Sequence, residues 1–283
     1  MTLNIHGHLL DLSRPLVMGI INVTPDSFYS GSRVSGCEEI RSRAAAQIES
    51  GAALLDLGGY SSRPGAEDIS ATEEYDRLAP ALDIIRKHWP EIPISVDTFR
   101  SEVAYRCVEK WGVEIVNDIS GGGLDPEMWS AVAELGCAYV LMHMRGNPMT
   151  MQSCCDYGDV TSEVISDLAF KLDKLRSIGV ADVIVDPGFG FAKTTEQNFR
   201  ILDELEHFKS LGCPILAGVS RKSMIWRTLD TVPAESLNGT TVLNTIALLK
   251  GANILRVHDV KEAMECVTLT ETMRDSAESL QSR

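Results

Sequence analysis

The chain has 283 residues, 44% of them hydrophobic and only 6% aromatic, with a formal net charge of -14. That length suits two average domains or one large α/β barrel, and the aliphatic bias suits buried strands under Ala/Leu-rich helices. The acidity argues against nucleic-acid binding, and no run nears the roughly 18 apolar residues of a membrane span or carries a basic leader with a cleavage site, so a soluble cytoplasmic protein without nucleic-acid or membrane partners is expected.

In chain order, residues 1–14 place Leu3, Ile5, Leu9 and Leu10 around His6-Gly7-His8, which predicts a hairpin closing the bottom of whatever follows. Strand-like runs then recur near 16–22, 54–59, 93–98, 115–118, 139–144, 183–187, 215–219 and 254–259. Between them lie amphipathic segments, such as Ala104, Cys107, Val108, Trp111 and Ile165, Leu168, Leu172, Leu175, whose three- and four-residue spacing gives one apolar face. Strands apolar on both faces that alternate with helices indicate a parallel sheet, and about eight such units predict a single-domain (β/α)8 TIM barrel over about 16–275. The alternative is an open doubly wound sheet. It fits less well because polar residues end nearly every strand, whereas an open sheet concentrates its site at one switch point. The seven cysteines are odd in number and lack C-x-x-C spacing, so reduced thiols are expected rather than bridges or a zinc site.

The polar strand ends carry the chemistry. Asn22-Val23-Thr24-Pro25-Asp26-Ser27-Phe28 follows the first barrel run, and Ser95-Val96-Asp97-Thr98, Val116-Asn117-Asp118 and Met142-His143-Met144 end later ones. Ser62-Arg63-Pro64-Gly65-Ala66, Asp186-Pro187-Gly188-Phe189-Gly190-Phe191, Gly218-Val219-Ser220-Arg221-Lys222-Ser223 and Arg256-Val257-His258-Asp259 complete the set. A carboxylate at Asp186 is able to accept two parallel N–H bonds from an amino-pyrimidine edge, although an Asp before Pro-Gly also serves as a turn or cap; Asp97 and Asn117 add acceptors and donors. Asp56 reads as supporting or structural. Arg256 and His258 alternate on one strand and so share a face, suited to a diphosphate or a flat ring. At Ser220-Arg221-Lys222-Ser223 a helix start meets a basic side chain, a combination that attracts anions; Arg221 itself reads as a rim ion-pair residue.

Together these eight ordered motifs resemble dihydropteroate synthase over residues 16 to about 270. Enzymes of that family use a pterin-binding barrel to join 6-hydroxymethyl-7,8-dihydropterin diphosphate to 4-aminobenzoate, releasing diphosphate. The resemblance implies pterin contacts from Asp97, Asn117, Met142, Asp186, Gly218, Lys222 and Arg256, and diphosphate contacts from Asn22, Ser62, Arg63, Arg256 and His258. It implies a 4-aminobenzoate pocket from Phe28, Ser62, Pro64, Phe191, Ser220 and Lys222, and Mg2+ on Asn22. Asn22, Lys222, Arg256 and His258 would be the catalytic residues.

The implied reaction is loss of diphosphate, with its charge absorbed by Mg2+, Arg256 and His258, followed by attack of the aniline nitrogen. It needs neither a Ser/His/Asp triad nor a covalent enzyme intermediate, and no general base is assigned. Segments 23–36 and 60–71 exceed ordinary βα connections and are expected to close over the site. There the chain departs from the commoner pattern, with Tyr60 in place of a frequent Glu, Ser62 in place of Thr, and Ser30 where an Asp often stands. Sulfonamide inhibition and a homodimer are further implications. The alternatives are a corrinoid-linked methyltransferase domain on a similar barrel, or a non-catalytic pterin-binding protein.

Overall fold

Residues 1–23, 33–62 and 68–281 are described by the computed structural model; Asp26, Phe28, Ser30, Arg63 and Pro64 lie outside them. Strands β1 (Thr2–Ile5) and β2 (His8–Asp11) pair antiparallel around a two-residue loop, His6-Gly7, with φ of 51° and 93°. Two successive positive φ values are what a tight hairpin of matching twist requires. The barrel strands follow as β3 (Leu16–Asn22), β4 (Leu54–Gly58), β5 (Ile94–Asp97), β6 (Ile115–Asp118), β7 (Ala138–Met142), β8 (Val183–Asp186), β9 (Leu216–Ala217) and β10 (Ile254–Val257). They form one parallel sheet in the order β8-β7-β6-β5-β4-β3-β10-β9. A parallel bridge between Val185 and Ile215, with Val185 N–H donating to the Pro214 carbonyl at 2.9 Å, brings the two edges together into a nearly closed barrel. The seventh barrel strand is shorter than its apolar run, two residues between the bridging Ile215 and Gly218.

Around the strands lie α1 (Arg33–Glu49), α2 (Ala71–His88), α3 (Ser101–Trp111), α4 (Met128–Leu135), α5 (Val160–Ser177), α6 (Thr195–Asp203), α7 (Ser223–Thr228), α8 (Leu237–Leu249) and α9 (Val260–Gln281). Their boundaries follow local chemistry. Ser70 Oγ caps α2 by accepting from Glu73 N–H, with acids in the first turn and Arg86, Lys87 and His88 in the last, as the helix dipole favours. Thr194 and Gln197 form a reciprocal capping box on α6. The predicted apolar faces are buried: Ala104, Cys107 and Val108 on α3, and Leu168, Leu172 and Leu175 on α5, while Trp111 and Ile165 sit half-buried at the margins.

Strand parity sorts the barrel's side chains into two sets. Val17, Leu55, Leu57, Val96, Val116, Tyr139, Val185, Leu255 and Val257 pack outward in the main core beneath the helices. Met18, Leu54, Ile115, Val140, Ile184, Leu216 and Ile254 point inward and form a separate apolar plug near the strand starts. Leu3, Ile5 and Leu12 of the hairpin segment complete that plug, so the hairpin does close the bottom of the barrel. Leu9, however, is 78% exposed, because alternation along β2 turns it away from the barrel. Continuing inward by steps of two leads from this plug to Asn22, Asp56, Asp97, Asn117, Met142, Asp186, Gly218, Arg256 and His258. An apolar floor therefore carries a polar upper layer.

Candidate active site

Arg256 organises that upper layer. Its Nε donates to Asp56 Oδ2 at 2.6 Å and its Nη2 to Asp97 Oδ2 at 2.7 Å. Desolvation opposes the guanidinium charge, but Asp56 and Asp97 outweigh it and raise the Arg256 pKa. Asp56 is fully buried and also accepts from Asn117 Nδ2, at 3.3 and 3.2 Å to its two oxygens. With the amide nitrogen so used, Asn117 Oδ1 remains as the acceptor. Asp56 is thus the hub under the site. Its position at a strand end pointed toward the site in sequence, but its partners come from β6 and β10 and carry no local signal.

Asp186, at the end of β8, is 6% exposed, and its Oδ1 accepts from Gly188 N–H at 2.7 Å. Burial raises its pKa, while Lys222, the Gly188 N–H and Arg256 pull it back. Its other oxygen, Oδ2, lies beside Gly218, where a Cβ would come within 3.9 Å. Asp97 is likewise raised, desolvation and the nearby Asp56 acting against Arg256. Met142 closes the apolar side of the mouth in a cluster with Ile119, Met144 and Ala192, against which Phe191 packs.

Lys222 stands at the N-cap of the short helix α7, as the helix-start reading expects. Its Nζ donates to the Phe189 carbonyl and lies 4.5 Å over the Phe191 ring. Burial brings its pKa down to about 8, with Asp186 holding it up and Arg256 pressing it further down. Ser220 Oγ lies 3.0 Å from His258 Nδ1 and accepts from His258 N–H at 3.2 Å. The hydroxyl implied to face the benzoate is therefore engaged with His258, locking the β9 loop to the end of β10. Next to it Arg221, at φ 54°, makes a bidentate ion pair with Asp259 at 2.9 and 2.6 Å, which is the rim pair expected of it.

Asn22 ends β3 half-buried, and Ser62 follows β4 half-buried. Gly58 leaves open a space that a Cβ would fill, 3.7 Å from Asn22 Oδ1 and 3.8 Å from Asp97 Oδ2. Among the described residues no cluster of three or more His, Cys, Asp or Glu could hold a metal ion. Asp97 Oδ2 is already engaged by Arg256, so the fitting donor is the neutral Asn22 Oδ1, and a single neutral oxygen suits a hard cation that keeps waters and phosphate oxygens, as Mg2+ does. Tyr60, the departure from the commoner pattern, packs edge-on against Phe99 at 5.0 Å, with the Arg100 guanidinium 5.1 Å from its ring. Arg100 in turn pairs with buried Glu74 and donates to the Ile69 carbonyl at 2.6 Å. The neutral Tyr60 thus joins the anchor at the base of the second loop.

Sequence reasoning missed Lys193. It is 4% exposed, with Nζ 3.1 Å from His143 Nδ1 and 3.0 Å from the carbonyls of both Gly188 and Phe191. Burial first, and Lys222 with it, lowers its pKa to about 7 against Asp186. Burial, then Lys193, Lys171 and Arg145, drive His143 down to about 2, so the imidazole is neutral. A lysine that follows Gly-Phe-Gly-Phe-Ala immediately before a capped helix was the available signal.

Residues 18–258 match the protein family described as Pterin binding enzyme. The chain is 41% identical to the dihydropteroate synthase of Escherichia coli (strain K12) over 281 residues, covering 99% of each. In structure it resembles the Yersinia pestis dihydropteroate synthase in complex with a sulfonamide drug, with a TM-score of 0.90, 36% identity, and coverage of 98% of this chain and 100% of that one. It also resembles the Xanthomonas albilineans dihydropteroate synthase with 4-aminobenzoic acid, with a TM-score of 0.88, 36% identity, and coverage of 96% and 98%.

Proposed function

The chain belongs to the pterin binding enzymes as a dihydropteroate synthase, a transferase of folate synthesis, and from that premise we propose how its residues divide the work. The enzyme condenses 6-hydroxymethyl-7,8-dihydropterin diphosphate with 4-aminobenzoate to give 7,8-dihydropteroate and diphosphate. One observation carries the assignment of roles: Asp97, Asn117, Asp186 and Arg256 share the inward parity above an apolar plug, at the end of the barrel where βα loops gather.

Asp186 accepts the paired N–H groups of the amino-pyrimidine edge, for which a single buried carboxylate is the fitting partner. Asn117 Oδ1 and Asp97 take further ring hydrogens, and Met142 and Gly218 give the ring its flat apolar borders. Arg256, held at one edge by Asp56 and Asp97, keeps its remaining N–H donors for the pterin face and the diphosphate. His258 faces the same anion, oriented by Ser220. Asn22 and Ser62 stand at its other side. Mg2+ bound by Asn22 would neutralise charge on the departing diphosphate. Lys222 and Phe191 form the benzoate side, a cation for the carboxylate and a wall for the ring.

With its charge neutralised, the diphosphate leaves with the C–O bonding pair, and the pterin delocalises the positive charge left on the methylene carbon. The positioned aniline nitrogen then attacks that carbon and gives its proton to water or the departing diphosphate, so positioning rather than an assigned general base supplies the acceleration. The same benzoate side should admit a sulfonamide as a competitive inhibitor. A cytoplasmic location and a homodimer complete the reading; exposed Leu249 on α8 and Leu269 and Met273 on α9 support a face for a second copy. The activity is tested by diphosphate release. It should require both substrates and Mg2+, and release from the pterin diphosphate alone at the same rate would defeat the condensation.

A further inference from the structure

The 188–192 loop leaves β8 between the two proposed substrate sides, and its shape is unusual. Gly188 has φ 72°, and a Cβ there would fall 2.0 Å from the His143 carbonyl oxygen, so the loop presses directly on the end of β7. Ala192 holds φ 50°, a left-handed conformation that a residue with a Cβ resists. Something must hold this loop in place. Tyr157 donates to the Ala192 carbonyl at 2.9 Å, and Asn198 Oδ1 accepts from Gly190 N–H at 2.6 Å. Both grip the loop from outside. The grip from inside is Lys193, whose Nζ lies 3.0 Å from the carbonyls of Gly188 and Phe191, 3.1 Å from the neutral His143 ring and 3.5 Å from the His143 carbonyl.

We propose that Lys193 is a positioning residue for 4-aminobenzoate: by gathering these carbonyls against β7 it fixes the 188–192 loop, and so presents the Phe191 ring and the Phe189 carbonyl to Lys222. The loop supplies the Phe189 carbonyl and the Phe191 ring, both in contact with Lys222 Nζ. Asp186 is less dependent, because its bond from Gly188 N–H closes a local two-residue turn. Loosening the loop should therefore displace the benzoate side more than the pterin side. This inference rests on the proposed roles of Phe191 and Lys222.

The test compares full-length wild type, Lys193→Met and the milder Lys193→Gln, so that a failure of one to fold leaves the other. Each folded variant should keep the wild-type far-UV spectrum. Lys193→Met should raise KM for 4-aminobenzoate about tenfold, Lys193→Gln less, while KM for the pterin diphosphate moves less than about threefold. Amides 188–192 should exchange faster with deuterium in both. Unchanged exchange, or the two KM values rising equally, would overturn the proposal. Phe191→Ala separates it from the reading beneath it: an unchanged benzoate KM there removes Phe191 from the pocket, while the exchange of the loop amides still decides whether Lys193 holds them.

Discussion

At the scale of single residues, burial and charge act against each other. Lys222 loses its proton near pH 8 in the folded chain instead of at its ordinary 10.5, because desolvation outweighs Asp186. Above pH 8 the free enzyme therefore gives up the cation proposed to face the benzoate carboxylate. The expected result is an alkaline limb in kcat/KM for 4-aminobenzoate, falling about tenfold per pH unit, and its disappearance in Lys222→Arg, whose charge persists. Stability moves the other way: the unfolded chain keeps this proton up to 10.5, so the Lys222 contribution rises with pH from 8 to 10.5 and is lost as pH falls through 8. Asp56 offers a second check. Removing it as Asp56→Ala unpairs one edge of a largely buried guanidinium and frees Asn117, which should cost about 3 kcal/mol in urea unfolding; a loss under about 0.5 kcal/mol, the level of an ordinary surface change, would contradict its place as the hub. Asp186, Asp97 and Asn117 were legible in sequence because each ends an apolar run, and Arg256 because it alternates with His258 on one strand. Asp56 as the hub and Lys193 were not, since their roles depend on partners brought from β6, β10 and β7 by closure of the barrel.

At the scale of elements, the hairpin and the mouth sit at opposite ends and should fail independently. Ile5 is 1% exposed and seals the apolar plug against Met18, Leu54 and Ile184. Ile5→Ala should cost about 2–4 kcal/mol through lost burial and the cavity left behind, with kcat and both KM values near wild type. Thermal unfolding and steady-state kinetics on the same preparation check it, and a large kcat loss in a folded variant would tie the floor to the chemistry. The eight strands were legible as apolar runs with polar ends, the hairpin from the apolar residues around His6-Gly7-His8, and the apolar faces of α3 and α5 from their three- and four-residue spacing. Leu9 was not, because the run Leu9-Leu10 does not reveal which of two adjacent leucines faces inward until β2 has a register. The shortness of β9 was equally hidden, since Val219 continues the apolar run beyond the last paired residue.

At the scale of the whole molecule, the fold separates what holds the barrel together from what acts. Outward strand residues meet the helices, lower inward residues meet the hairpin, and the upper inward layer carries the polar groups of the site. The proposed second copy on α8 and α9 would dock away from this layer: wild type should sediment as a dimer and Leu269→Glu, on a side chain 71% exposed, as a monomer, and a monomeric wild type would remove the proposed interface. The central claim is that the polar layer seats the pterin through Asp186. Calorimetric titration of a pterin analogue into wild type and Asp186→Ala tests it most directly. The account predicts a loss of about 2–4 kcal/mol in binding with the fold intact, and an affinity equal to that of wild type would contradict it.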